Sequence, residues 1–473
     1  MIPPDLDAFL LDRVSASRMP GLSLVLLSGD ETAERHVGFR DLPGRVPPDG
    51  DTRYGIGSVT KLFTALATLR LVDGGSVGLD DPIGAHLPEV ADAFPPGTTI
   101  AQLLAHGSGL PALGFSESKM SDRWYPDGLP VGGWPDVASF LTGASAWWVD
   151  RPGAAWRYSN EGYLALGELI ERTTGEAYVD HVARTLLRPL GMARSTFDRD
   201  RVESDGNRVA PTMFDDEGRS VPGSNLYGPV PAAGGLISTP RDLAAFARAV
   251  MEALAGADDA PWLPPRVRSW LVDPQVPLDP VGATPLDDLD LWNDPRRWHG
   301  LGPQLVEGLP GLTGMALGHG GGVMGGTAYL LVAPERRIGV VALANTHGYP
   351  LARVAMASLV AMSGEPLASL AWYRRERLTR TLAGDYAAFR DTMRAEVRPA
   401  PGGLELVLAF RPARRRVPLT FLEHDDATRT TRMVAWSQGR PAIATFRPCS
   451  DADAGIELHF ERYAFRRQGR LHP

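Results

Sequence analysis

Three short clusters hold residue types that suit nucleophilic chemistry. Gly57-Ser58-Val59-Thr60-Lys61 sets a serine one helical turn ahead of a lysine. Side chains three apart share a helix face, so the amine can reach the serine oxygen. Residues 58–72 are apolar on nearly every side (Leu62, Phe63, Ala65, Leu66, Leu69, Leu71, Val72), which predicts a buried helix. Burial penalises a lysine's charged form and leaves an amine able to take the serine proton. The product is an activated nucleophile; the plainer alternative is a helix cap with a snorkelling lysine. Ser116-Glu117-Ser118-Lys119 repeats the spacing but lacks an apolar helical continuation, and it is expected to be a surface loop.

In Trp156-Arg157-Tyr158-Ser159-Asn160, residues two apart share a face of an extended segment, so Tyr158 and Asn160 can project together. A phenol there can shuttle a proton between nucleophile and leaving group, and a carboxamide can hold a substrate amide; packing at a helix entry is the alternative. Gly318-His319-Gly320-Gly321-Gly322 precedes a strand expected at 328–332. It contains a formal GxGxxG, Gly320 to Gly325, but a strand follows instead of a helix and no acidic residue appears about 20 positions on, so a dinucleotide fingerprint is excluded. Gly320 and Gly321 would instead let a substrate backbone lie against an edge strand, with the Gly322 and Ser58 N–H groups forming an oxyanion hole.

Helices are expected near 5–18, 58–72, 161–173, 176–188, 241–254 and 349–362, and strands at 21–27, near His36, at 328–332 and at 338–343. Strands at both ends with helices between imply one sheet closed by the two ends of the domain around a mainly helical insert, about 75–235. From about residue 380 the pattern changes. Leu404-Leu406-Leu408-Phe410, Val417-Leu419-Phe421 and Ile456-Leu458-Phe460 alternate with period two, the mark of an all-β module. The expected division is 1–363, a linker at 364–379, and 380–473.

The 473 residues hold one cysteine, Cys449, which excludes an internal disulfide framework, an iron–sulfur cluster and a cysteine-based zinc site. HExxH, P-loop and GxSxG motifs are absent and the ten histidines lack metal-ligand spacing, so no metal or cofactor is required. The net charge of −8 divides into −15 before residue 374 and +7 from it onward, the latter carried by arginine. That asymmetry suits an acidic partner or a basic module lying on an acidic one; nucleic acid is disfavoured because the basic module lacks interleaved aromatic residues. The acidic N-terminus has no signal-peptide pattern and no apolar run reaches about 18 residues, so a cytoplasmic address without a membrane anchor is expected.

Taken in order, Ser58-x-x-Lys61, Tyr158-x-Asn160 and His319-Gly320-Gly321 resemble the penicillin-binding-protein and class C β-lactamase superfamily of serine acyl enzymes. Leu103-Leu-Ala-His106-Gly-Ser-Gly-Leu110 and Ala233-Gly-Gly-Leu-Ile-Ser-Thr-Pro-Arg-Asp242 are similar to two further turns of that family. The resemblance implies an α+β fold: an antiparallel sheet flanked by helices, with a helical subdomain. It implies Ser58 as nucleophile, Lys61 and Tyr158 as the base and acid pair, and Asn160 as a partner of lysine and substrate. His319 stands where many members have lysine, which weakens the grip on a carboxylate and makes efficient β-lactamase activity an unexpected outcome.

The C-terminal module, opening at Leu382-Ala383-Gly384-Asp385-Tyr386, resembles the lipocalin-like β-barrel of some family peptidases, esterases and peptide-cyclising thioesterases. In such relatives the barrel can border the active site, where its arginines would meet a carboxylate or dock an acidic carrier protein. Trp156 and Trp124 are candidate pocket walls. The implied reaction is attack of Ser58 on an amide, ester or thioester. It would act either as a D-residue peptidase or esterase or as a thioesterase that macrocyclises a nonribosomal peptide. The competing class is a silent ligand sensor or scaffold.

Overall fold

The computed structural model describes residues 2–16, 19–120, 131–215, 217–225, 231–256, 260–278, 295–400, 402–410, 413–437, 439–449 and 455–468. These pack as two compact units, one up to Leu367 and one from Ala368.

The first unit is built on an antiparallel sheet of eight strands: β1 Gly21–Ser28, β2 Glu31–Gly38, β3 Val276–Pro277, β4 Arg296–His299, β5 Gln304–Glu307, β6 Ala316–Val323, β7 Gly326–Ala333 and β8 Ile338–Ala344, in the order β2-β1-β8-β7-β6-β5-β4-β3. Late strand β8 pairs with β1 from Leu22↔Ala344 to Ser28↔Ile338, so both ends of the domain close one sheet, as the strand pattern implied. Seven of eight residues of β1 and all of β8 are buried, in keeping with runs that are apolar throughout β8 and interrupted within buried β1 only by Ser23.

Helices cover the sheet. The terminal helices α1 (Pro4–Ala16) and α5 (Leu351–Met362) touch each other, and α5 packs on β7 and β8. Helix α4 (Pro240–Leu254) shares a core cluster with Val341 and Leu343 and with α2 (Thr60–Asp73) and α3 (Asn160–Thr174). Buried residues run all round α2 from Thr60 to Leu69, the enclosure its composition predicted. The described part of the segment between α2 and α4 is mostly short helices with one small hairpin. Residues 115–120, expected as a loop, are a helix. Phe115 is buried there, and the Glu161 carboxylate accepts its N–H and that of Leu113.

In the second unit eight strands between Gly384 and Arg467 form a closed antiparallel barrel in sequential order. The first pairs with the last at Tyr386↔Arg467. Leu404, Leu406, Leu408, Phe446, Leu458, Phe460 and Phe465 fill one core, which is what an eight-strand barrel has room for. The expected linker, 364–379, is largely helical: Ala371–Leu382 forms α6. Among the described residues no helix is long and apolar enough to cross a membrane.

Candidate active site

Ser58 lies in a single 3-10 turn, Gly57–Val59, that runs straight into α2. Gly57 has φ +51°, and a Cβ there would stand 2.6 Å from the main-chain nitrogen of Gly322; only glycine admits both the angle and the approach. The facing strand makes the reciprocal demand. A Cβ on Gly321 would fall 2.0 Å from the Ile56 carbonyl oxygen and 2.8 Å from the Ser58 nitrogen. The main-chain N–H groups of Ser58 and Gly322 therefore meet at one seam between turn and strand. Thr60 ties the turn down, its hydroxyl donating to Gly57 O at 2.7 Å and accepting from the Leu236 N–H at 3.1 Å.

The glycine run is itself part of a strand, β6, and the strand expected after it is β7. β6 is not an outer strand of the sheet. It pairs with β7 from Leu317 to Val323 but with β5 only at Ala316–Gly318, so His319–Val323 keeps one side free of strand pairing. The expected strand edge exists as half of an inner strand, because β5 is only four residues long.

Lys61 is 0 % exposed. Its Nζ donates to Ser58 Oγ at 3.2 Å, Asn160 Oδ1 at 2.7 Å and Ala233 O at 2.6 Å, one for each ammonium hydrogen. All three partners are neutral. The Tyr158 hydroxyl donates to Ser58 Oγ at 2.7 Å, so the serine oxygen is held by side chains from two separate segments of the chain. Asn160 opens α3, whose N-cap Ser159 accepts the Gly162 N–H. Helix entry and functional pair are thus one device.

Tyr158 is fixed from behind. His106 accepts the Arg157 N–H through its carbonyl at 2.7 Å and the Ser159 N–H through Nδ1 at 3.2 Å. The His106 and Tyr158 rings lie 4.3 Å apart.

His319 is placed differently from a group that faces substrate. It is 2 % exposed, Nδ1 donates to Gly320 O at 2.5 Å, and its ring stands beside His299. Burial, His299 and Lys61 push it down to about 3, so it is neutral at pH 7. Gly320 packs on the Tyr329 ring and Gly322 faces His347. Trp156, a candidate pocket wall, is buried in the core cluster with its ring near Tyr158 and His299. Trp124, the other, lies outside the described residues.

Three contacts around Ser58, Lys61 and Tyr158 escaped the sequence reading. The Ala233 carbonyl sits in the glycine turn already singled out, but a main-chain acceptor leaves no trace in residue type. His106 lay in a quoted motif without a role. His299 ends β4 with no local signal. One ring nitrogen each from His106, His299 and His319 lies within 4.8 Å of the others.

Comparison with known proteins agrees with this geometry. Residues 6–363 match the family described as Beta-lactamase, and residues 366–466 match the Pab87 octamerisation domain. The octameric penicillin-binding protein homologue from Pyrococcus abyssi is similar over both units: TM-score 0.84, 30% identity, covering 98% of this chain and 99% of that one. A D-stereospecific amidohydrolase from Streptomyces sp. shares the fold at TM-score 0.59 and 24% identity, covering 76% of this chain and 98% of its own. Staphylococcus aureus (strain MRSA252) protein flp is 28% identical over 203 residues, 42% of this chain. The matched stretch spans only 39% of flp's length. A family match running from α1 to the end of α5, through every element that positions Ser58, Lys61 and Tyr158, establishes that the chain belongs to the beta-lactamase family.

Proposed function

We propose that the protein is a serine acyl-enzyme hydrolase or acyltransferase acting on an amide, ester or thioester. The observation that carries this reading is Ser58 Oγ held at 2.7 Å by the Tyr158 hydroxyl and at 3.2 Å by Lys61 Nζ. In the reactive form Lys61 is the neutral amine, its two hydrogens on Asn160 Oδ1 and Ala233 O; as Ser58 Oγ attacks the carbonyl carbon its proton passes to the Lys61 lone pair, from which Tyr158 is resupplied when it protonates the leaving group. The carbonyl oxygen takes the negative charge and accepts from the N–H groups of Ser58 and Gly322. Expulsion of the leaving group breaks its bond to the acyl carbon, and Tyr158 returns the proton to it. Asn160 holds Lys61 through its Oδ1 and presents its NH₂ to the substrate amide. Water then releases a linear acid, or an amine of the same peptide releases a ring.

The buried, neutral His319 supplies no cation for a substrate carboxylate. Substrates lacking one, such as simple esters and peptidyl thioesters, are therefore expected to outpace β-lactams. The fold shared with a D-stereospecific amidohydrolase guides the choice of test substrate, a peptidyl thioester ending in a D-residue. Intact mass of the protein and of Ser58→Ala after mixing should give a Ser58-dependent adduct. Linear product marks a peptidase or esterase and cyclic product a macrocyclising thioesterase. No adduct with this or a nitrophenyl ester leaves the sensor or scaffold reading.

We also propose that the chain assembles through its barrel unit. The octameric homologue and the match of residues 366–466 support this. Light scattering should give a mass near that of eight chains, and a single-chain mass refutes it.

A further inference from the structure

His106, whose ring lies against Tyr158, His299 and His319 come in turn from the loop after the Ile100–Leu104 helix, the end of β4 and the middle of β6. His106, His299 and His319 are all buried, and Nε2 of each has no hydrogen-bond partner among the described residues. One ring nitrogen of each lies within 4.8 Å of the others, and three orphaned polar atoms on such neighbouring rings are costly unless something meets them.

The partners of Nδ1 fix where the protons are. A main-chain N–H only donates, so His106 Nδ1 accepts from Ser159 and its proton lies on Nε2. A carbonyl only accepts, so Nδ1 of His299 donates to Gly300 O at 3.0 Å and Nδ1 of His319 to Gly320 O; their Nε2 atoms are lone pairs. Burial first, and Lys61, keep all three uncharged at pH 7, the neighbouring rings adding to the effect on His106 and His319, with His299 pushed down to about 4. The cluster therefore presents one N–H and two lone pairs.

We propose that His106, His299 and His319 form a binding site for one water molecule, which accepts from His106 Nε2–H and donates to Nε2 of His299 and of His319, and that this uncharged assembly positions Tyr158. One water has two donors and two acceptors, so it meets all three nitrogens. A divalent transition-metal cation is a poorer occupant. It needs three lone pairs, so His106 would have to shift its proton to Nδ1, against the Ser159 N–H, and the cation would enter the field of Lys61. The link to catalysis runs through His106. It holds the chain on both sides of Tyr158, and its ring backs the phenol. Anchoring Nε2 fixes that ring.

The positioning claim rests on the proposed role of Tyr158; the site itself does not, and the experiment separates them. In the full-length protein labelled with ¹⁵N-histidine, long-range ¹⁵N–¹H spectra at pH 7.5 read the ring tautomers, assigned with single histidine variants. The expected result is Nε2–H for His106 and Nδ1–H for His299 and His319, unchanged by one equivalent of Zn²⁺. Any other distribution overturns the site, and Zn²⁺ that shifts all three rings overturns it in favour of a cation. In acylation assays, His299→Leu should lower kcat about tenfold with KM unchanged, and His299→Gln, which restores an acceptor near Nε2, should recover most of the loss. A Leu variant that folds and matches the parent overturns the positioning role. If it does not fold, the rates of His299→Gln and His299→Asn decide, because only the longer side chain reaches the acceptor position. If the parent forms no Ser58 adduct, the proposed function fails while the spectra still read the site.

Discussion

The hydroxyl of Tyr158 is a short bond from Ser58 Oγ, and Lys61 is engaged by three neutral acceptors. Removing that hydroxyl alone takes away the proposed proton relay without opening the core, since the ring still packs on His106 and Trp156. Tyr158→Phe is therefore expected to lower kcat for a nitrophenyl ester by roughly 10²–10⁴-fold, the usual range for a lost acid–base group. KM and melting temperature should stay close to the parent. Stopped-flow acylation and a thermal melt check this, and a loss confined to KM contradicts it. At this scale the sequence was readable where chemistry and spacing sit in one turn: Ser58 and Lys61 share a helix face, and Tyr158 and Asn160 flank a helix cap. His299 was not readable, because its partners are 193 and 20 positions away along the chain and only strand pairing gathers them.

At the level of elements, the seam between the Ser58 turn and β6 is where backbone meets backbone. Gly321→Ala would drive a methyl into the Ile56 carbonyl and the Ser58 nitrogen, neither of which can swing aside as a side chain could. The expected cost is about 1–3 kcal/mol of stability, the range for overpacking, with acylation slowed at least about tenfold because the nucleophile shifts. Gly206→Ala is the control: no atom lies within 4 Å of its Cβ and its φ is not positive, so urea midpoint and rate should match the parent. Equal behaviour of the two variants contradicts the seam. The same strand explains a limit of the sequence reading. Glycine is depleted in strands, so pattern alone placed His319–Gly322 ahead of the strand at 328–332. The barrel strands, with Leu and Phe at every second position, were plain. The Phe115–Met120 helix was not, since the buried Phe115 and Glu161, 46 positions on, hold it in place of an apolar repeat.

Over the whole molecule, the groups whose acid equilibria folding shifts differ in kind between the two units. Burial lowers His106, His181, His299 and His319, all in the first unit. A histidine whose folded value is depressed takes up fewer protons than the unfolded chain. Its contribution is complete above the unfolded value of about 6.5 and is lost as pH falls towards the folded value. For His299, at about 4, that is on the order of 1.4 kcal/mol for each pH unit between about 6.5 and 4. Glu161 and Asp242, raised by burial, act in the opposite sense: protonation on acidification relieves their desolvation and offsets part of the loss. In the barrel unit the sensitive groups are carboxylates. Glu457, held down by His459, Arg447 and Arg466, and Asp425, held down by Thr428 and main-chain N–H groups, contribute fully above the unfolded value of about 4.3 or below. They fail only as pH drops through their lowered values. Acid unfolding is therefore expected in two stages, as units of different composition permit. Hydrogen exchange of the full chain at pH 5 should show protection falling in β6, α2 and α3 while the barrel strands keep theirs, and His299→Gln should flatten the first stage. Simultaneous loss of protection in both units, or a first stage that His299→Gln leaves unchanged, contradicts the assignment of acid sensitivity to the buried imidazoles.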